Sequence, residues 1–384
     1  MSTTPQYIDF STGLTVNYTP PASAARSTAL AKYIQLTAAY EDICKSLLVQ
    51  SQQMLTFVVL PGYYNFPKGD KIPTELLMPF SEFAVKHGIE AAVPTIFATT
   101  GLGIGNMMSS PTISVIQAFS ALLGKAMSGQ AALIVPASHN NSELYGRVAK
   151  RLGNDVLYSS TVTKAERTNT GVVLTVRSAD GTETRITAKR LLIAIEPTLE
   201  ALGPFALDAN EQQVFGHNEY ATNFAGIVSH PALPTSVALI NTVPAAAPAN
   251  YLVFPQTPFL ARFDYIGTSG SGDKLFRVLV IGDANYTADA AKALMQTAFQ
   301  NLIKAGQLPG AKEGDVLSWK AFADHGRVPI GVSPKAMREG YIQDLYNLQG
   351  KRATWYTGSW WTAHFTTNAW EFSETILPRL VGDL

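Results

Sequence analysis

The sequence predicts a chain of mixed α and β structure, α+β or α/β, in which two domains are interleaved. Residues 1–135 have helical patterning, residues 136–205 change to short strands, residues 206–345 mix both, and residues 346–384 form a tail. The chain has 384 residues, of which 46% are hydrophobic and 15% are charged, so it is long enough to fill two cores. A short strand-rich block between two larger blocks favours interleaved domains over a linear series.

Composition limits the classes of partner. Lys and Arg together number 29, as do Asp and Glu, so the formal net charge is zero. A balanced chain without a basic stripe argues against nucleic acid. No apolar run reaches the ~18 residues that a membrane span needs. The polar segment Met1–Pro5 is unlike a signal peptide, so we expect a cytoplasmic protein. The single cysteine, Cys44, excludes an intrachain disulfide and is expected on the buried face of a helix.

The first block is expected to be mainly helical. Residues Ala25–Leu48 have helix-forming composition, with apolar residues at helical spacing. Further helices are expected over Thr74–Phe83, Phe83–Ile89 and Pro111–Met127.

A glycine-rich run, Thr99–Asn106, follows the apolar run Ala91–Ala98. It resembles a dinucleotide-binding loop, because glycines let the backbone approach a pyrophosphate. The third glycine comes one position early, Pro94 interrupts a preceding strand, and no acidic residue follows at the required distance. The alternative is a tight turn within the helical block, and this interpretation is favoured.

The second block begins with a helix and continues as a β-meander. The helix is expected over His139–Gly153, with Asn141 as its N-cap and Gly153 at its left-handed exit. Asp180-Gly181 is a hairpin turn pair. The strands are expected at Asp155–Val162, Gly171–Arg177 and Thr182–Thr187.

Four later elements complete the prediction. Arg190–Pro197 is a continuous apolar run, which is typical of a strand in a sheet covered on both faces. Phe276–Ile281 is expected to be a strand and Thr287–Leu302 a helix. Ser333-Pro334 should begin a last long helix, with Ser333 as its cap.

Two histidines are candidates for proton transfer. The six histidines of the chain lack the spacing of a metal site, so we expect no metal. His325 has a neighbouring carboxylate at Asp324, and His364 lies in the aromatic tail. A histidine titrates near neutral pH and can act as a general acid or base. The alternative for each histidine is a partly buried structural role.

The aromatic tail, Thr354–Trp370, holds four of the five tryptophans in the chain. A strand that ends at the Gly358 turn, followed by a helix that starts at Thr366 or Thr367, would present a flat surface and free helix N–H groups to a ligand. Trp361 is the aromatic candidate among the catalytic residues and would contact the substrate. The alternative is a segment of packed core beside a sheet.

Three segments, taken in order, resemble the fungal FAD-dependent oxidoreductases of the flavin-containing amine oxidase superfamily. They are His139–Gly153, Asp155–Pro197 and Arg352–Leu380. The resemblance implies an FAD cofactor, with an FAD-binding sheet domain interleaved with a substrate domain of mixed helices and antiparallel sheet. Residues 1–135 and 206–345 would form the substrate domain, and residues 136–205 and 346–384 would form the FAD-type segments. It also implies that the following residues bind the cofactor: Val162, Ala194, Ile195, Gly358, Ser359, Thr367 and Asn368.

The chain departs from this family at its start. The family opens with a Rossmann unit carrying G-x-G-x-x-G, whereas Tyr7–Gly13 resembles family sequence that follows that unit. The FAD-binding sheet is therefore expected to be incomplete, and an apolar sheet face or edge is expected to be exposed. A homo-oligomer that covers this sheet is the expected assembly.

Three functions follow from these observations. The first is an FAD-dependent oxidoreductase that acts on an apolar small molecule, as in fungal secondary metabolism. The second is a flavin-independent cyclase or isomerase that reuses the substrate cavity. The third is a non-catalytic chain that completes its sheet with a partner. Flavin absorbance distinguishes the first function from the second, and a concentration-dependent melting temperature would favour the third.

Overall fold

A computed structural model describes residues 4–40, 43, 66–132, 134–362 and 365–382. The chain forms two compact units, each assembled from three segments. Unit 1 consists of Met1–Thr37, Asp70–Ala121 and Asn218–Lys335, and unit 2 consists of Ala38–Gly69, Leu122–His217 and Ala336–Leu384. The domain boundaries and roles that were assigned from the sequence stay predictions.

The helices are distributed over both units. No helix in the described ranges is both long enough and apolar enough to cross a bilayer. They are α1 Ser23–Ala38, α2 Thr74–Leu77, α3 Phe80–His87, α4 Val93–Thr99, α5 Thr112–Ala118, α6 Ala121–Met127, α7 Asn141–Leu152, α8 Ala209–Phe215, α9 Ala288–Lys304, α10 Pro334–Glu339, α11 Tyr341–Tyr346 and α12 Thr366–Val381.

The strands belong to three sheets. The order in the sheet of unit 1 is β1-β7-β8-β9-β6-β10, and unit 2 contains the meander β2-β3-β4 and the pair β5-β11. They are β1 Thr4–Ile8, β2 Ser160–Arg167, β3 Val172–Ser178, β4 Glu183–Ala188, β5 Leu191–Ile193, β6 Glu219–Ser229, β7 Val237–Asn241, β8 Phe259–Thr268, β9 Lys274–Asp283, β10 Ser318–Gly331 and β11 Thr354–Tyr356.

The sheet of unit 1 is covered on both faces. Its β1 and β7 run parallel, and the other neighbouring strands run antiparallel. On one face, Val278 packs in a cluster that includes Met295 and Phe299 of α9. On the other face, Ile281 packs in a second cluster together with Phe97 of α4. This arrangement follows from period-2 alternation along β9, which sends neighbouring side chains to opposite faces.

An aromatic cluster holds the helices of unit 1 together. Tyr33 of α1 contacts Phe80 and Phe119 edge-on, with ring centroids 6.4 and 5.7 Å apart. Its buried hydroxyl donates to the carbonyl oxygen of Phe119 (2.7 Å). The helical spacing seen around Tyr33 in the sequence therefore does define a core-facing helix.

Several predicted helices differ in extent from the observed ones. The helix expected over Ala25–Leu48 is observed as α1, which ends at Ala38, and Cys44 lies outside the described residues. The helix expected over Pro111–Met127 is interrupted at Phe119, whose backbone leaves the helical region (φ −123°, ψ 79°). The long helix expected from Ser333 is wrong, because α10 ends before Gly340 (φ 103°), which α-helical backbone does not accommodate.

The glycine-rich run Thr99–Asn106 follows a helix instead of a strand. Pro94 occupies the first turn of α4, where proline is tolerated, and a 3₁₀ turn follows over Gly101–Ile104. A dinucleotide-binding loop requires a preceding strand. The favoured alternative, a turn within the helical block, is therefore what the structure shows.

The second block differs from the prediction in two details. Asn140, not Asn141, caps α7, because its side chain accepts from the amide of Ser142 (3.0 Å). The first meander strand begins at Ser160, since a turn at Tyr158 and Ser159 (φ 49°) directly precedes it. The hairpin at Asp180-Gly181 forms as expected, with Gly181 at φ 86°.

Candidate functional site

The carboxyl ends of two parallel strands meet at one edge of unit 2. In the pair β5-β11, Leu191 lies opposite Thr354 and Ile193 lies opposite Tyr356. The amide of Thr357 donates to the carbonyl of Ile193 (2.9 Å) and extends the pairing by one residue. In open α/β sheets, ligands bind outside the carboxyl ends of the strands. We call residues 194–196 and 357–359 the carboxyl edge.

Gly358 gives the carboxyl edge its shape. Its backbone lies at φ 118° and ψ −173°, a region almost restricted to glycine. A Cβ added there would lie 3.9 Å from the carbonyl oxygen of Ala194, which is ordinary van der Waals contact. Backbone conformation, and not lack of space, therefore requires glycine here. As a result, no side chain stands in front of the Ala194 carbonyl at this point.

Glu196 and Ser359 join the two sides of the carboxyl edge. The Ser359 hydroxyl donates to Oε1 of Glu196 (2.6 Å). Oε2 of Glu196 is buried and has no hydrogen-bond partner within the described residues. Burial raises the pKa of Glu196, and the hydrogen bond from Ser359 lowers it by a smaller amount. The edge thus contains a carboxyl group with a raised pKa and one buried oxygen that has no hydrogen-bond partner among the described residues.

A glutamine side chain holds β11 on its other side. The amide nitrogen of Gln349 donates to the carbonyl of Tyr356 (2.9 Å), and Oε1 of Gln349 accepts from the amide of the same residue (2.9 Å). A side-chain amide carries one donor group and one acceptor, so it can replace a neighbouring strand at one residue. This pairing fixes the backbone of β11 two residues before Gly358.

A buried ion pair links the meander to the strand pair. Both side chains, Arg167 of β2 and Glu211 of α8, are almost fully buried and form two parallel hydrogen bonds (2.8 and 2.7 Å). The Tyr356 hydroxyl donates to the same carboxylate (2.6 Å). Burial alone would raise the pKa of Glu211, but the hydrogen bonds from Arg167 and Tyr356 outweigh it and lower the pKa. This network positions β11 within unit 2.

Helix α12 begins beside the carboxyl edge, at Thr366 as the sequence predicts. It contacts the 3₁₀ turn Ser359–Trp361. Farther along, the hydroxyls of Thr357 and Ser373 lie 2.7 Å apart. In the first turn, Thr367 is exposed and Asn368 is buried. The first amides of a helix have no intrahelical acceptor, so the N-terminus of a helix is a favourable place for a ligand oxygen.

The structure brings together four of the residues that the resemblance assigns to the cofactor. Ala194, Ile195, Gly358 and Ser359 share the carboxyl edge. Val162 lies apart, half-buried in the meander, next to a bulge in the pairing of β2 with β3.

The predicted catalytic residues are more dispersed. Asp324 and His325 are exposed on β10, an edge strand of unit 1, and Asp324 accepts from the amide of Gly326 (2.8 Å). Trp361 is 1% exposed and stacks on Tyr356, with ring centroids 5.6 Å apart. His364 lies outside the described residues. The catalytic roles of all four residues stay predictions.

Unit 1 contains a cavity of about 390 Å³. It lies at the ends of β6, β9 and β10, and the loop from Gly105 to Pro111 closes one side. A volume in this range suits a small organic ligand. Its apolar lining includes Leu77, Ala221, Ile330 and Val332.

A few polar groups also line this cavity. Asn106 and Thr257 are joined by two hydrogen bonds (3.2 and 3.3 Å), which fix the loop against the segment that precedes β8. The Tyr220 hydroxyl accepts from the side-chain amide of Asn218 (3.0 Å). Burial raises the pKa of Glu219. Mostly apolar walls with a few directed polar groups are typical of small-molecule sites.

Four residues of these sites were not predicted from the sequence: Glu196, Arg167, Glu211 and Glu219. Glu196 could have been identified from the sequence, because it is a carboxylate at the end of an apolar run, directly before Pro197. Arg167 and Glu211 have no comparable feature, because each is an ordinary charged residue until the fold pairs them.

Comparisons with known proteins agree with this description. No protein-family model matches the chain. Beta-cyclopiazonate dehydrogenase of Aspergillus flavus is 28% identical over 376 residues, which are 98% of this chain and 74% of the relative. The FAD-dependent oxidoreductase dpchF of Colletotrichum higginsianum is 28% identical over 357 residues, which are 91% of this chain and 71% of the relative.

Two solved structures share the fold. A CLA-producing fatty acid isomerase from P. acnes has a TM-score of 0.70 at 14% identity, covering 99% of this chain and 80% of the isomerase. A putrescine oxidase redesigned in its cofactor binding has a TM-score of 0.58 at 10% identity, covering 100% of this chain and 82% of the oxidase. The predicted resemblance to fungal FAD-dependent oxidoreductases and the mixed α and β fold class are therefore confirmed.

Proposed function

We propose that this chain acts as an FAD-dependent oxidoreductase on an apolar small molecule, in fungal secondary metabolism. The observation that carries the proposal is the carboxyl edge, where Gly358 and Ala194 face each other at the ends of parallel strands. The names of the fungal relatives support an oxidoreductase. The two structural neighbours, an isomerase and an oxidase, support the fold alone, because one fold hosts different reactions.

The residues of the carboxyl edge fit a flavin nucleotide. FAD carries many hydrogen-bonding oxygen atoms, and the edge contains a buried carboxyl oxygen of Glu196 without a partner among the described residues. A side chain on residue 358 would occupy the space that Gly358 leaves in front of the Ala194 carbonyl. Both features are expected of a site where a ligand approaches the protein backbone closely.

The proposed cofactor residues lie on three elements. The ends of β5 and β11 supply the carboxyl edge, β2 contributes from the meander, and α12 contributes its N-terminal turn, the end of a helix that favours ligand oxygen atoms. The proposed set is Val162, Ala194, Ile195, Gly358, Ser359, Thr367 and Asn368.

Bound FAD supplies the redox chemistry, since a flavin accepts a hydride from a C–H bond next to nitrogen or oxygen. This chain binds and orients the substrate. The apolar walls of the unit 1 cavity exclude water from an apolar molecule, and Glu219 or Tyr220 can hydrogen-bond to its polar group. The side chains of Asp324 and His325 are exposed on β10, and together with His364 they remain the candidates for proton transfer.

Substitution of Gly358 tests the proposal. The purified wild-type chain should bind FAD and show flavin absorbance. Gly358→Ala should weaken FAD binding about tenfold, and the strained backbone should lower the free energy of unfolding by about 1–3 kcal/mol. Titration with FAD and chemical denaturation measure the two effects.

Gly270→Ala is the matched control. Gly270 lies in the turn between β8 and β9, does not have the positive φ of Gly358, and an added Cβ would meet nothing within 4 Å. It should leave FAD binding and stability unchanged. A folded, colourless wild-type chain that converts substrate without FAD would contradict the proposal and favour the cyclase or isomerase alternative.

A further inference from the structure

Glu196 has an unusual environment for a carboxyl group. It follows β5, in the segment that reaches the carboxyl edge, and 163 positions separate it in sequence from its partner Ser359. Ser359 follows Gly358 directly and is held in a 3₁₀ turn, in which the amide of Thr362 donates to its carbonyl (3.2 Å). The hydrogen bond between Glu196 and Ser359 thus closes the carboxyl edge across the two strands.

Only one of the two oxygen atoms of the Glu196 carboxyl has a hydrogen-bond partner among the described residues. Oε1 accepts from Ser359, whereas Oε2 is buried without a hydrogen bond to any described residue. A buried polar atom without a partner costs free energy, so such atoms in functional proteins often mark the position of a ligand or an ordered water. Within the described residues, no Lys, Arg or His forms an ion pair with Glu196 that would favour a carboxylate.

A neutral Glu196 carboxyl accounts for the hydrogen-bonding environment of both Oε1 and Oε2. As a neutral acid, the carboxyl accepts from Ser359 through Oε1 and carries a proton on Oε2, which becomes a donor. A donor at this position suits an oxygen acceptor such as a phosphate or a ribityl hydroxyl, whereas a carboxylate would repel a phosphate. Burial raises the pKa of Glu196, which is the direction that a neutral carboxyl requires.

We propose that Glu196 is an additional cofactor-binding residue, whose protonated carboxyl donates a hydrogen bond from Oε2 to an oxygen of the bound flavin nucleotide. The inference rests on the proposed function, because it takes FAD as the ligand. Ser359 is then a positioning residue, since its hydroxyl holds Oε1 and leaves Oε2 directed away from it.

Variants at Glu196 distinguish the effect of a hydrogen-bond donor on FAD affinity from the effect of a negative charge. Glu196→Gln retains an acceptor for Ser359 and an N–H donor, so FAD affinity should stay within about threefold of wild type. Glu196→Ala removes both, and FAD affinity should fall about tenfold or more. Glu183→Gln, at an exposed glutamate of the meander, is the control and should leave FAD affinity unchanged. Quenching of flavin fluorescence measures each dissociation constant.

Two fragments of the cofactor identify the acceptor. Riboflavin carries the ribityl chain without phosphate, and ADP carries the diphosphate without flavin. If Glu196→Ala weakens binding of riboflavin alone, the acceptor is on the ribityl chain, and if it weakens binding of ADP alone, the acceptor is on the diphosphate. Unchanged affinity for FAD and for both fragments would overturn the inference.

An infrared measurement keeps the test decisive if Glu196→Ala does not fold. Addition of FAD to the wild type should shift the carbonyl stretch of a protonated carboxyl, and Glu196→Gln should lack this band. Ser359→Ala should weaken FAD binding by a smaller factor than Glu196→Ala. Absence of the band, or a Gln variant as weak as the Ala variant, would refute the donor role while leaving FAD binding by wild type intact. Failure of wild type itself to bind FAD would overturn the proposed function and, with it, the inference.

Discussion

The two units use apolar strands in different ways. In unit 1, Val278 and Ile281 of β9 are both fully buried, on opposite faces of the sheet. In unit 2, the apolar run that contains β5 leaves Leu192 39% and Ile195 47% exposed. The sequence predicted coverage on both faces for this run, and for Leu192 that prediction is wrong.

The difference in burial between the two units suggests that unit 1 contributes mainly to stability and the carboxyl edge of unit 2 mainly to binding. A strand covered on both faces contributes the full hydrophobic free energy of its side chains, about 1.5–3 kcal/mol for each large one. A short strand such as β5, in which Leu192 is partly exposed, contributes less, but it leaves apolar surface available to a ligand or a partner. We therefore expect substitutions in unit 1 to affect folding, and substitutions at the carboxyl edge to affect binding.

The largest expected effect is in the core of unit 1. Phe299→Ala removes a fully buried ring between α9 and the sheet, and the free energy of unfolding should fall by about 4 kcal/mol because a cavity remains. Leu192→Ala, at the partly exposed strand of unit 2, should cost about 1 kcal/mol or less. Denaturant unfolding measures both, and equal losses would contradict the distinction between the two units.

A smaller effect is expected from the ion pair of unit 2. Glu211→Ala leaves the buried Arg167 without its carboxylate and should lower the free energy of unfolding by about 3 kcal/mol. Glu143→Ala, which breaks the exposed pair with Arg147 on α7, should leave stability near that of wild type. If Glu211→Ala and Glu143→Ala lowered the free energy of unfolding equally, burial would not determine how much an ion pair contributes to stability.

Acid should weaken the same ion pair. The pKa of Glu211 is lower in the folded chain than in the unfolded one, so its contribution is present above the unfolded pKa, about 4.3, and is lost as pH falls through the folded pKa. The melting temperature of wild type should therefore fall more between about pH 6 and about pH 3 than that of Glu211→Gln. Parallel curves for the two proteins would contradict this account.

The smallest effect on stability is expected at the exposed face of α7. Leu144, Val148 and Leu152 lie at helical spacing, as the sequence predicts, and all three are exposed. Leu144→Lys should change the free energy of unfolding by less than about 0.5 kcal/mol. If the expected homo-oligomer uses this face, sedimentation equilibrium should show weaker self-association for Leu144→Lys than for the control Lys150→Ala. Unchanged association would exclude this face from the assembly.

Local elements were well predicted where neighbouring residues carry the cause. Thr287 caps α9 by accepting from the amide of Ala290 (3.2 Å), and Gly181 closes its hairpin with a positive φ. Elements whose ends depend on distant packing were predicted less well. The break at Phe119 is an example, because the composition of Pro111–Met127 is compatible with a longer helix. The early end of α10 differs, since its cause, Gly340, lies next to it in the sequence.

The residues of the candidate site also differ in whether neighbouring sequence reveals them. Gly358 could be identified because a turn glycine at the end of an apolar aromatic strand is visible in the sequence. Glu196 could not be paired with Ser359 across 163 positions, nor Arg167 with Glu211 across 44, because their contacts exist only after the strands and helices have packed.

The sequence by itself determined a mixed α and β protein, and its meander and aromatic tail carry the resemblance to fungal FAD-dependent oxidoreductases. Periodicity, turn residues and caps act over a few residues, so they can be read directly. The tertiary structure alone decided that the tail tryptophan Trp361 is core, that Leu192 is partly exposed, and that a half-satisfied carboxyl stands beside Gly358. Burial and hydrogen bonding across the fold depend on which surfaces meet, and local sequence does not specify that.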